Sequence, residues 1–165
     1  MEDLHHHAFE SLDSALADLP EQAIDWQPAA YRDVPQDAGW PKPGTIWWQV
    51  AHLTHYNRYY ALLLELRGEP TAPKAKERVP LDAFSSEVEA MRTVHKALRA
   101  TVAALTPSDL SMRIPNGMTV AEMVAFALRH DAWHAGKIAM LRVMAQAELG
   151  RVEAVEAPGR PTPDS

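Results

Sequence analysis

The sequence predicts an all-α protein, a four-helix bundle with a long loop between its first two helices. Three observations carry this. The 13 prolines leave four spans free, 1–19, 44–69, 81–106 and 116–157, and proline breaks helix interiors. Apolar residues recur inside those spans at intervals of three and four, the period of a helix with one buried face. No run alternates with period two, so no sheet is expected.

The first helix is expected over Asp3–Asp18, where Leu4, Ala8, Leu12, Ala15 and Leu19 form a stripe. The second is expected over Thr45–Arg67, with Thr45 as its N-cap and Gly68 just past its end. The third runs over Asp82–Leu105 on a stripe of Val88, Met91, Leu98, Val102 and Leu105. A short helical turn is expected at Pro107–Leu110. The fourth helix runs over Thr119–Leu149; Thr119 and Glu122 form a capping box behind an Asn116-Gly117 turn, and Gly150 closes it. The connection between the first two helices is too long for a tight hairpin and suits an overhand crossover. Its Trp26, Tyr31 and Trp40 are expected to pack it onto the bundle. One domain over 1–150 is expected, followed by a tail over 151–165 whose Pro158, Pro161 and Pro163 predict disorder.

Composition narrows the function classes. The 165 residues are 47% hydrophobic and 23% charged, ordinary globular usage that excludes bulk disorder. Sixteen basic against 22 acidic side chains give a net charge of −6. Such a surface repels phosphate, so neither nucleic acid nor an anionic membrane is an expected partner. There is no cysteine, which excludes a disulfide, a Cys-ligated metal and a cysteine nucleophile. With no signal peptide or spanning segment in view, a cytoplasmic location is expected.

Chemistry concentrates in the eight histidines. His130 and His134 stand four apart on the fourth helix, so both face one side, close enough to share a metal ion. They fall in the stripe Met123, Ala127, His130, His134, Leu141 and Ala145, with Asp131, Arg142 and Gln146 placed off that seam. The alternative is two core histidines bonded to backbone or carboxylates. On the second helix, Thr54, Arg58 and Glu65 cluster and mark the solvent side. His52 then falls about 40° from the centre of the opposite face, and His55 about 100°. His52 is therefore the inward candidate, and His55 a boundary residue. His95 is expected at the edge of the third helix with one nitrogen in water. His5, His6 and His7 belong to the first helix surface, with the capacity to bind metal adventitiously. Three neutral imidazoles from two helices leave coordination positions open, the arrangement of catalytic rather than structural sites. Gly136 in mid-helix has three possible reasons: close helix approach, substrate clearance or a packing contact. Phe126 and Trp133 are candidate pocket walls or, alternatively, ordinary core aromatics.

The segment RHDAWHAGKIAMLR (129–142) resembles the last-helix His-x-x-x-His-x-Gly-Gln-Ile signature of the DinB/YfiT-like metalloenzymes. TIWWQVAHLTHYNRYY (45–60) resembles their second helix, and IDWQP (24–28) their crossover entry. The resemblance implies an up-up-down-down topology, frequent dimerisation, and a divalent metal, zinc or nickel, on His52, His130 and His134. Lys137 stands where the family pattern has Gln. Relatives include transferases or isomerases that use low-molecular-weight thiols, and others that resemble hydrolases.

Three functions are therefore in view. One is a metal-dependent transferase joining a small thiol to a small-molecule electrophile, with the thiol brought by a cosubstrate because the chain has none. The second is a metal-dependent hydrolase. The third is a non-catalytic, stress-related metal-binding bundle. No Glu or Asp is evidently placed as a general base: Glu122 lies about 80° off the His130 direction. A homodimer is expected because Tyr56, Tyr59, Leu62, Leu63 and Leu66 spread apolar surface around much of the second helix.

Overall fold

A computed structural model describes residues 12–71, 74 and 77–156. Most of the first helix, the His5–His7 run and the tail beyond Glu156 lie outside them. Helical residues 12–16 (α1) are followed by α2 (Glu21–Ile24), α3 (Ile46–Glu65), α4 (Phe84–Ala103) and α5 (Val120–Glu156), with 3-10 turns at Ala29–Tyr31 and Asp109–Ser111. Among the described residues there is no strand, only one isolated bridge between Arg113 and Thr119. No described helix is long and apolar enough to cross a membrane.

The helix ends follow local chemistry. The Thr45 hydroxyl accepts the Trp48 amide at 3.0 Å, and Gly68 takes the left-handed φ of +88° that ends the α3 segment. Thr119 and Glu122 form the reciprocal box: the Glu122 amide donates to Thr119 Oγ1 at 3.2 Å and the Thr119 amide to Glu122 Oε2 at 2.7 Å. Two boundaries differ from expectation. α4 begins at Phe84 with no side-chain cap. α5 runs through Gly150 to Glu156; one glycine costs about 1 kcal/mol in a helix and does not by itself break one.

Helix α3 packs against both α4 and α5 and is therefore buried over much of its circumference. Ile46, Val50, Leu53, Tyr60 and Leu64 define its inward direction. Thr54, expected on the solvent side, is buried, with its hydroxyl returned to the Val50 carbonyl at 2.9 Å. That local bond satisfies the only polar group it carries.

The core has two apolar halves. One gathers Leu12, Ile46, Val50, Leu53, Met91, Ile138 and Leu141; the other gathers Tyr60, Leu64, Leu98, Ile114, Met123 and Val124. Between them on the three long helices lies a buried polar layer of Asn57, His95 and Asp131. The Asn57 amide nitrogen donates to His95 Nε2 and to Asp131 Oδ1, both at 2.8 Å. Two expectations are corrected here. His95 is fully buried, not half wet, and Asp131 lies in the α5 seam, not off it. In each case a buried partner on another helix replaces water.

The loop before α3 meets the helices through two of its three aromatics, Trp26 and Trp40, while Tyr31 packs within the loop. Trp26 packs against the first apolar half. Tyr31 covers Gly44, whose φ of +78° and lack of a side chain both matter, since a Cβ there would stand 2.5 Å from the Tyr31 ring. Trp40 is overlaid by Arg78, which binds the Gly39 carbonyl and the buried Glu87 carboxylate.

Candidate metal centre

His52 from α3 and His130 and His134 from α5 meet on one flank of the bundle. One ring nitrogen of each lies within 4.8 Å of the others. His52 Nε2 and His130 Nε2 stand 3.2 Å apart. Two imidazole nitrogens on one tetrahedral ion at about 2.0–2.1 Å would stand about 3.3 Å apart, so the spacing fits a shared metal. His134 Nε2 and His130 Nδ1 are buried with no hydrogen-bond partner among the described residues. His134 Nδ1 meets Gln49 Oε1 at 2.7 Å. Since the amide oxygen only accepts, His134 carries its proton on Nδ1 and presents a bare Nε2 to the cluster.

His52 is held by a stack along α3. Trp48, one turn before, lies 4.8 Å from its ring and Tyr56, one turn after, 4.3 Å. The choice of His52 over His55 agrees with the cluster, but its geometry does not. Measured from the true inward direction of α3, His52 points about 120° away; the site sits at the edge of the bundle, not on its axis. Trp40 of the crossover reaches this edge, 6.3 Å from His52 and 5.5 Å from His55. His55 lies beside the cluster and outside it. Phe126 stacks on His130 at 6.0 Å, and Trp133 stands edge-on to His134 at 4.8 Å. Both are exposed, so they are rim, not core. Gln49, Trp40 and Tyr60 complete the surroundings and escape sequence reasoning, since Gln49 meets His134 from another helix.

Burial and mutual repulsion keep the imidazoles neutral. Desolvation, then His130, His55 and Lys137, hold His52 down at about 4. Desolvation, then His130, His52 and Lys137, hold His134 at about 3. Burial lowers His130 as well. Neutral imidazole is the form that binds metal. No carboxylate of the described residues joins the cluster.

The family model of the DinB superfamily matches residues 4–138. The chain belongs to the DinB superfamily. No curated protein and no solved structure gives a match. Membership agrees with the all-helical architecture and with a three-histidine cluster able to take a metal ion.

The pH dependence of metal uptake follows with its sign. Protons compete with metal for each imidazole, and a folded pKa below the free value of 6.5 moves that competition to lower pH. Zinc affinity should therefore hold as pH falls through 6.5, and weaken only below it, as pH moves toward about 4 for His52 and about 3 for His134. A tenfold loss per unit starting near 6.5 in a competition titration contradicts the neutral cluster.

Proposed function

We propose that this chain binds one divalent metal ion, zinc or nickel, through His52, His130 and His134, and catalyses transfer of a small thiol to an electrophile. The observation that carries the reading is the cluster itself: three neutral imidazoles, a rim of exposed aromatics, and neither a cysteine nor a carboxylate at hand. Three protein ligands leave room for an exogenous one. Bound there, a divalent ion supplies Lewis acidity and lowers the pKa of a thiol or water.

The chain's residues do the rest. Gln49 fixes the His134 tautomer, and Trp48 and Tyr56 fix the His52 ring. Phe126 and Trp133 offer apolar surface on which an electrophile can lie. The thiol proton passes to solvent, sulfur forms the new C–S bond, and the electrophile either releases its halide or nitrite or opens its epoxide C–O bond, whose oxygen takes a proton back from solvent. A thiolate needs no protein base, which suits a site with no carboxylate.

The test is turnover of metal-loaded protein on chloro- and nitro-aromatics and epoxides, with and without low-molecular-weight thiols. Turnover should require thiol and vanish in His130→Ala. Thiol-independent hydrolysis, lost in the same variant, would replace this reading with that of a metal-dependent hydrolase. Metal uptake without either activity would leave a metal-binding bundle.

We also propose a homodimer. α3 spends much of its apolar surface inside the chain: Leu63 is buried and Tyr56, Tyr59, Leu62 and Leu66 are half-buried. The exposed apolar face is on α5, where Trp133, Met140, Val143 and Met144 follow one another at helical spacing. A Cβ at Gly136 on that helix would meet nothing within 4 Å, so no packing contact among the described residues accounts for this glycine. Sedimentation at micromolar protein should give twice the chain mass of 18.3 kDa; a single chain mass ends the proposal.

A further inference from the structure

Lys137 follows His134 by three residues and lies over the same rim. Its ammonium sits 3.6 Å above the Trp133 ring, and that ring is edge-on to His134 at 4.8 Å. Burial lowers the Lys137 pKa. The ammonium rests on the indole face, and no carboxylate of the described residues joins the histidine cluster beside it. Two further cations stand beside His55, Arg58 and Arg78, and Arg78 is already engaged by Glu87 and the Gly39 carbonyl.

This placement becomes electrostatically unfavourable once a metal ion adds positive charge beside it, because no carboxylate of the described residues joins the cluster to offset the two like charges. It becomes favourable when the ligand brings the negative charge. A lone ammonium beside aromatic surface suits a monoanion with an apolar body; phosphate favours several converging donors or an arginine fork. We propose that Lys137 and the three-histidine centre together form a receptor for an organic carboxylate, whose apolar body lies on Phe126 and Trp133. The inference rests on the metal reading above and names the class of molecule that site takes.

The test uses full-length protein loaded with cobalt(II), whose metal content is measured first. Benzoate is titrated in, with benzamide as its neutral counterpart, and binding is read from the cobalt absorption spectrum and from tryptophan fluorescence. Wild type should bind benzoate, and bind benzamide more weakly. Lys137→Gln should weaken benzoate binding about tenfold, the effect of one charged hydrogen bond at a partly exposed site, with metal content and benzamide affinity unchanged. Lys137→Arg should restore most of the loss. Equal benzoate affinity in wild type and Lys137→Gln overturns the proposal, as does benzamide binding as tightly as benzoate, or inorganic phosphate displacing benzoate at equal concentration. A protein that takes up no cobalt overturns the metal reading itself, and the metal measurement tells that failure apart from the others.

Discussion

His134→Ala should abolish stoichiometric metal binding. The side chain supplies a buried Nε2 with no hydrogen-bond partner among the described residues, oriented by the Gln49 bond at Nδ1. Loss of an orienting partner alone typically lowers metal affinity about 10–100-fold, so loss of the ligand itself should exceed about 100-fold. His52→Ala and His130→Ala should behave alike, and Gln49→Ala should show the smaller loss. The readouts are metal content after dialysis and the rise in melting temperature on adding metal, which follows from binding to the folded state alone. That rise should disappear in the three histidine variants and survive in a variant lacking His5, His6 and His7. Full metal in any single variant, or loss only in the triple one, contradicts the assignment.

The second large effect belongs to the polar layer. Asn57→Leu removes the donor shared by His95 and Asp131, both fully buried. Two acceptors then lose a hydrogen bond in a region water does not reach, at a cost of about 3 kcal/mol. For a chain of this size that lowers the melting temperature by roughly 6–12 °C. Metal content should hold, because Asn57 touches none of the three cluster histidines. Asp131→Asn, which keeps an acceptor for the Asn57 amide, should cost less. A melting temperature within about 2 °C of wild type for Asn57→Leu would show that the layer contributes little.

The same layer marks where sequence reasoning stops. The three later proline-free spans, the Thr45 cap, the Thr119–Glu122 box and Gly68 are local signals, and the structure places each where local chemistry puts it. A helical wheel treats polarity as exposure and so sends His95, Asp131 and Thr54 to water or a boundary. Their burial depends on the other helices, or on a backbone carbonyl one turn away, and no single wheel displays that. Thr54 displaces the wheel's reference direction, yet His52 stands in the cluster because the site lies between α3 and α5. The His130–His134 pair needed no such reference: four-residue spacing alone puts two imidazoles on one face. Trp40 and Gln49 were not legible as site residues, since one arrives on an irregular loop and the other acts only through His134.

The most direct measurement is an anomalous-scattering difference map from crystals of zinc-loaded protein, collected on both sides of the zinc absorption edge. The account predicts one strong peak per chain within about 2.0–2.1 Å of one nitrogen each of His52, His130 and His134. Zinc found elsewhere, on His5–His7 for example, with no peak among the three clustered imidazoles, would contradict it.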